Sequence, residues 1–178
     1  MYTYSVIFVL CFYVSYGQVL VFNQCPDLPV QRNFDVEKFM GNWYERNVYT
    51  AGSGGDRCNL DTFRSTDCGS FNLNMTDAGD WLVSGRARPI GAEAAKLVVD
   101  YFVGANAELP YWILETDYNS YAVAWSCLQS PAATLRYAWV LTRNRNSEEA
   151  LQRGLSVFEK LSIDTSYLKE VDQNNCSN

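Results

Sequence analysis

The side chains that could carry out chemistry in this sequence include cysteines but no histidine. The 178 residues contain six cysteines and no histidine. Histidine is the usual general base near neutral pH and the commonest nitrogen ligand of zinc and haem iron. Its absence excludes a Ser-His-Asp or Cys-His mechanism and a haem held by histidine. We expect no metal site and no catalytic residue of these classes.

Cys68 is the remaining candidate nucleophile. A nucleophilic thiol needs a lowered pKa, which a neighbouring cation can supply. No Lys or Arg adjoins Cys68, and its neighbour Asp67 would raise the pKa of the thiol if the two side chains lie close together. We expect Cys68 to be buried as a small inert side chain, with a link to another chain or a reactive thiol as alternatives.

Composition and charge narrow the class of partner. The net charge of -6 and the pI near 4.6 give no basic surface for nucleic acid. Hydrophobic residues make up 48% of the chain and aromatic residues 15%. This aromatic content suits an all-β protein or a large aromatic-lined cavity.

The first residues have the pattern of a secretory signal peptide. No charged residue precedes Asp27, and the apolar run Val6 to Val14 is too short to span a membrane. Small residues at Ser15 and Gly17 predict cleavage after Gly17, with a retained N-terminal anchor as the alternative. We therefore predict a signal peptide over 1–17, a single secreted domain over 18–178, and five cysteines that form two disulfides and leave one thiol.

Short β-prone segments separated by Gly, Pro, Asn or Asp occupy most of the mature chain. Eight antiparallel strands close into a barrel that can hold one small ligand. The predicted strands are Trp43–Tyr49, Leu60–Arg64, Ser70–Met75, Trp81–Arg88, Lys96–Val103, Tyr111–Thr116, Tyr121–Leu128 and Leu135–Thr142.

Two segments have helical patterns. Asp35 is expected to begin a short helical turn. Asn146, followed three residues later by Glu149, predicts the start of an amphipathic helix on which Glu149 and Arg153 can pair. Its apolar face, which we expect to pack outside the sheet, would contain Leu151, Leu155, Phe158 and Leu161.

Three motifs in order resemble those of the lipocalin family: Gly41-Asn42-Trp43-Tyr44, Thr116-Asp117-Tyr118, and Arg143 in Leu141-Thr142-Arg143-Asn144. The chain is most similar to the apolipoprotein D, Lazarillo and insect bilin-binding branch, through segments such as Pro110–Leu114 and Ala138–Leu141. The resemblance implies an all-β fold, an eight-stranded antiparallel up-and-down barrel (the lipocalin calyx) with one C-terminal α-helix packed outside.

The resemblance also implies structural roles at the closed end of the barrel. Trp43, beside Gly41, would form the floor under the guanidinium of Arg143, and Asp117 would lie in a tight turn. By the same resemblance the disulfides would be Cys25–Cys127 and Cys58–Cys176, which leaves Cys68 unpaired and able to link a dimer.

Alternation along the strands, anchored by these motifs, predicts the side chains that face the interior. Glu45 and Asn47 share the face of Trp43 and are candidate buried polar groups. The sequon Asn74-Met75-Thr76 predicts glycosylation of Asn74 on the outer face. The predicted ligand-contacting residues are Phe71, Leu73, Leu97, Val99, Tyr101, Tyr111, Ile113, Ser126, Leu135, Tyr137 and Trp139.

These patterns favour a secreted carrier of a small hydrophobic ligand rather than an enzyme. The resemblance implies a bilin, carotenoid, retinoid, fatty acid or sterol as ligand, with no cofactor required unless a bilin or carotenoid chromophore is bound. It is also compatible with a membrane receptor as partner. The alternatives are a thiol-dependent isomerase or synthase that uses Cys68, and a ligand-free lipocalin that signals through its surface.

Overall fold

The computed structural model describes residues 19–21, 23–49, 57–66, 70–77, 80–101, 107–131 and 133–177. The predicted signal peptide and Cys68 lie outside these residues. Within the described part of the chain, no helix is both long and apolar enough to cross a membrane.

Eight antiparallel strands form the closed barrel that was predicted. Each strand pairs with the next along the chain, and β9 pairs with β2 to close the sheet. Most strands begin or end within three residues of the predicted bounds, because turn residues interrupt the ladder where expected. The strands are β2 (Gly41–Tyr49), β3 (Leu60–Ser65), β4 (Phe71–Asp77), β5 (Asp80–Ile90), β6 (Glu93–Tyr101), β7 (Ala107–Thr116), β8 (Tyr121–Gln129) and β9 (Thr134–Thr142).

Two short strands extend the barrel sheet and were not predicted. β1 (Val19–Val21) pairs with the start of β9, and β10 (Leu168–Glu170) pairs with the end of β2. Each has three residues, too few for an alternating pattern to be recognisable in sequence. β1 thus gives the start of β9 a second partner beyond the stretch where β9 pairs with β2, and β10 gives the end of β2 a second partner beyond the stretch where β2 pairs with β3.

Both predicted helices are present, but the long one begins one residue later than expected. Asp35 caps α1 (Val36–Phe39) by accepting from the Lys38 backbone N–H. The long helix α2 (Glu148–Lys160) begins at Ser147, whose hydroxyl accepts from the Ala150 N–H, so the prediction of Asn146 as the cap was wrong. A 3-10 turn (Thr165–Tyr167) leads from α2 towards β10.

α2 lies on the outer face of β8 and β9 at a very short distance. A side chain at Gly154 would bring its Cβ to 2.5 Å from Cγ1 of Val140. Glycine is therefore what allows the helix to approach the sheet. Arg153, predicted to pair with Glu149, instead forms an ion pair with Asp117 at 2.9 Å and joins α2 to the closed end.

A bulge in β2 changes which residues face the interior. The pairing with β9 shifts between Glu45 and Asn47, so that Asn47 lies opposite Val140 and Val48 lies opposite Trp139. Val140 contacts α2 on the outside of the barrel. The expectation that Asn47 faces inward with Trp43 was therefore wrong, and Val48 takes the inward position.

Candidate functional site

Aromatic side chains close one end of the barrel. Phe39 of α1 stacks on Trp43 with a ring-centroid distance of 5.1 Å, and Phe63 meets Phe39 edge-on at 5.0 Å. The Trp43 indole N–H donates to the Phe39 carbonyl at 2.9 Å. Trp43 and Phe39 are fully buried. This end therefore has no opening between these rings, and its one indole donor is satisfied.

Arg143 fastens this floor from outside. Its guanidinium carbon lies 3.7 Å from the centroid of the Trp43 ring. The five backbone carbonyls that accept from it belong to Lys38, Phe39, Met40, Asn42 and Tyr118, at 2.8 to 3.2 Å. Gly41 has a φ of +100°, and a Cβ there would lie 3.2 Å from Nη1 of Arg143. The chain can turn under the guanidinium because residue 41 has no side chain.

Asp117 organises the turn between β7 and β8. One of its carboxylate oxygens accepts from the backbone N–H groups of Asn119, Ser120 and Tyr121 at 2.8 to 3.1 Å. Partial burial alone would raise the pKa of Asp117, but donation from the Ser120 hydroxyl and from the backbone N–H groups of Ser120 and Tyr121 holds it below its usual value. Together with its ion pair to Arg153, this geometry makes Asp117 a structural residue of the closed end.

Two disulfides join the segments before β2 and after α2 to the barrel. They are Cys25–Cys127 and Cys58–Cys176, the pairs that the resemblance implies. The bonded residues are 102 and 118 positions apart in sequence. Each closes a long loop, so each restricts the unfolded chain strongly.

Most of the predicted ligand-contacting residues have fully buried side chains. Val99 and Leu97 of β6 and Phe71 and Leu73 of β4 have no exposed surface. Tyr111 and Ile113 of β7 are likewise buried, and Ser126 of β8 is 2% exposed. Ala122 and Ala124, also on β8, are fully buried small side chains, and Ala124 lies opposite Trp139 of β9.

The remaining predicted residues are only half-buried. These are Tyr101, Leu135, Tyr137 and Trp139. Tyr137 stacks on Trp139 at 5.9 Å with an interplanar angle of 4°, and Trp139 contacts Tyr111 at 5.2 Å. This row of three rings runs from the half-exposed part of β9 into the buried part of β7, and can offer a continuous aromatic surface to a planar or elongated apolar molecule.

A polar group in the barrel interior was missed by the sequence reasoning. Asp61 of β3 pairs in register with Trp43 and Met75 and has no exposed surface. Burial first, and then the neighbouring Glu45, raise the pKa of Asp61 well above its usual value. The only sequence signal was that Asp61 alternates with Phe63 and so shares its face.

Glu45 belongs to the same group and accepts from the amide of Asn59. Asn59 donates to Oε2 of Glu45 at 2.8 Å, and the side chain of Gln173 donates to the backbone carbonyls of both residues at 2.9 Å. Glu45 is 4% exposed and Gln173 5%. The segment after α2 therefore supports a carboxyl group inside the barrel.

The other predicted positions lie away from the interior. Asn74 alternates with Leu73 and Met75 on β4 and lies half-buried on the outer side, where it accepts from the Ser84 hydroxyl at 2.6 Å. No cluster of three or more His, Cys, Asp or Glu able to hold a metal occurs among the described residues.

Comparisons with known proteins agree with this architecture. The profile of the lipocalin / cytosolic fatty-acid binding protein family matches residues 57–175. Apolipoprotein D of Macaca fascicularis is 33% identical over 167 residues, covering 90% of this chain and 88% of that protein. The Lazarillo protein of Schistocerca americana is 38% identical over 66 residues, 35% of this chain and 31% of its own length.

Among solved structures, insecticyanin from the tobacco hornworm Manduca sexta superposes with a TM-score of 0.72. Its sequence is 23% identical, and the match covers 90% of this chain and 93% of that one. This likeness shows the barrel fold, while the apolipoprotein D match and the family profile show descent. The chain belongs to the lipocalin family and is similar to its apolipoprotein D and Lazarillo members.

Proposed function

We propose that this protein is a secreted carrier, not an enzyme, that holds a small hydrophobic ligand inside its barrel. The observation that carries the proposal is the aromatic row of Tyr111, Trp139 and Tyr137, with the small side chains of Ala122 and Ala124 on the adjacent strand. Large rings beside small side chains favour an apolar pocket with few polar groups.

Burial of apolar ligand surface would supply the binding free energy. At roughly 25 cal/mol per Å², an apolar molecule that buries about 300 Å² gains about 7 kcal/mol before the costs of association. Bilins, carotenoids, retinoids, fatty acids and sterols all offer surfaces of that order. A bilin or carotenoid would act as a bound chromophore and not as a catalytic cofactor.

The extracellular setting is supported by the two disulfides, since such bonds persist in oxidising compartments. It also agrees with the predicted signal peptide and with the sequon at Asn74. A membrane receptor, and a dimer linked through Cys68, remain proposals that this setting allows.

Protein purified from its natural source tests the ligand class. We expect an apolar compound to be extracted and identified by mass spectrometry, and a visible absorption band if the ligand is a pigment. A colourless extract rich in fatty acid or sterol would refute the pigment assignment.

A variant that fills the interior tests the location. Ala124 lies opposite Trp139 in the sheet register, so Ala124→Phe should fill the interior. The ligand affinity, measured by quenching of tryptophan fluorescence, should fall about tenfold or more. Ser156→Phe, on the exposed face of α2, is the matched control and should bind as wild type does. Equal affinity of the two variants would contradict binding inside the barrel.

A further inference from the structure

Glu45 of β2, Asp61 of β3 and Asn59, which precedes β3, bring carboxyl and amide groups together beside the aromatic floor. Trp43 lies opposite Asp61 in the register of β2 and β3, and the Glu45 N–H donates to the Asn59 carbonyl at 3.2 Å. Asp61 therefore lies beside Trp43, and Glu45 lies two residues further along β2 than Trp43, both on the inner face. The barrel interior thus has a polar layer at its bottom beneath an aromatic wall.

Asp61 differs from Glu45 in this layer. Glu45 accepts from Asn59 and is supported through Gln173. Neither oxygen of Asp61 accepts a hydrogen bond of good geometry from a described residue, although its side chain is fully buried and the side chains of Glu45 and Tyr111 lie close enough to shift its pKa. Buried carboxyl oxygens without such partners are rare in folded proteins, because the lost hydration is not replaced.

Two hydroxyl groups on the inner face are in the same condition. The Tyr111 hydroxyl and the Ser126 hydroxyl are buried and have no hydrogen-bond partner in the described part of the chain. Asp61 and Tyr111 lie close enough to change each other's pKa, and burial followed by Asp61 raises the pKa of Tyr111. Three of the side chains with buried, unbonded polar atoms, those of Asp61, Tyr111 and Ser126, therefore face the interior from β3, β7 and β8.

We infer that Asp61, held beside Glu45, anchors the hydrogen-bond-donating end of an otherwise apolar ligand at the bottom of the barrel interior. The inference rests on the proposed carrier function and narrows its ligand class. An amine, a pyrrole-type N–H or an alcohol would supply Asp61 with a hydrogen-bond donor. A carboxylate placed there would meet the two buried carboxyl groups of Glu45 and Asp61, so such an end is disfavoured.

A matched series of ligands tests the inference. Dodecylamine, dodecanol and dodecanoate share one apolar chain and differ in the polar end. Each is used near pH 7 to displace the neutral fluorescent probe N-phenyl-1-naphthylamine from wild-type protein. We expect the amine and the alcohol to bind about tenfold more tightly than dodecanoate, the scale of one hydrogen bond.

Two Asp→Asn variants separate the anchor from a general effect of charge. In Asp61→Asn the preference for donor ends should shrink to about threefold or less, because the amide can donate to a carboxylate as well as accept from an amine or an alcohol. Asp100→Asn makes the same change on the outer side of β6 and should keep the wild-type preference. If Asp61→Asn does not fold, the preference for donor ends is measured instead in Tyr111→Phe, which removes the inward hydroxyl near Asp61.

The outcomes distinguish the anchor from the carrier function. Equal affinity of the three ligands for wild type, or an unchanged preference in folded Asp61→Asn, would overturn the anchor while the carrier function stands. Failure of the probe and of all three ligands to bind wild type would overturn the carrier function and the anchor with it.

Discussion

Replacing Arg143 by methionine should destabilise the protein more than any other single loss of a surface-accessible charge. Methionine keeps an unbranched stem of similar length and removes the guanidinium. The variant loses donation to five backbone carbonyls and the stacking on Trp43 at 3.7 Å. The change therefore measures the contribution of the guanidinium apart from that of the packing of the aliphatic stem.

The size of the effect follows from these contacts. Nη2 has two hydrogens for three carbonyls, so the five contacts amount to about four hydrogen bonds. Because Arg143 is half-buried, we take about 0.8 kcal/mol for each, at the low end of the range for such bonds. The stacking on Trp43 adds about 1 kcal/mol. Arg143→Met should thus lower the free energy of unfolding by about 4 kcal/mol, and Tm by about 12 °C.

Urea unfolding with the disulfides intact, followed by tryptophan fluorescence, measures this loss. Arg88→Met is the matched control, because Arg88 pairs with Glu108 on the exposed outer wall and should change stability by less than about 1 kcal/mol. Arg143→Lys retains a point charge without the planar fork and should recover less than half of the loss. A loss below about 1 kcal/mol in Arg143→Met would refute the view that Arg143 fastens the floor.

Three further predictions concern the outer helix, a disulfide and the buried carboxyl group. Gly154→Val should cost about 1–3 kcal/mol in thermal unfolding, because even a Cβ there lies 2.5 Å from Val140; wild-type stability would contradict the close contact of α2. Replacing both Cys25 and Cys127 by serine should cost about 4–5 kcal/mol in denaturant unfolding, and a loss under about 1 kcal/mol would contradict the chain-entropy reasoning. Burial and Glu45 raise the pKa of Asp61 above the ordinary 3.8, so the folded protein binds more protons than the unfolded chain and stability falls as pH rises above that value. Asp61→Asn should remove this decline in stability as pH rises above about 4, and an identical slope in the variant would contradict it.

The barrel and its closed end were predictable from sequence because their signals are local. Alternation with a period of two, interrupted by turn residues, gave the eight barrel strands. The positions of Trp43, Asp117 and Arg143 followed from short motifs of the lipocalin family. Arg143 and Asp117 contact backbone groups of nearby turns, so a family motif is enough to place them.

What the sequence could not show depends on irregular or long-range contacts. The bulge in β2 adds one residue and reverses the inward face after Glu45, which moved Asn47 out of its predicted place. Arg153 prefers Asp117, 36 residues away, to a neighbour on its own helix. β10 lies beside β2 next to a segment joined to the barrel by Cys58–Cys176, and no local pattern marks it.

The inward position of Asp61 could not be predicted from the local sequence pattern. An aspartate in a short strand is usually assigned to the solvent side, since ionised side chains are rarely buried without partners. Its inward position is fixed only by the register with Trp43 and Met75, which is a property of three strands. The polar layer above the floor therefore required the structure.

The packing around the floor also limits the direction from which a ligand's hydrogen-bond donor can approach Asp61. Below it, Trp43 and Phe39 are fully buried, Phe63 is 1% exposed, and the Trp43 donor is already bound to a carbonyl. No donor can approach Asp61 from that side without displacing these rings. Above it, the aromatic row leads to the half-exposed Tyr137 and Trp139. A donor that satisfies Asp61 must therefore enter along the aromatic wall, on a molecule whose remainder is apolar enough to stay there.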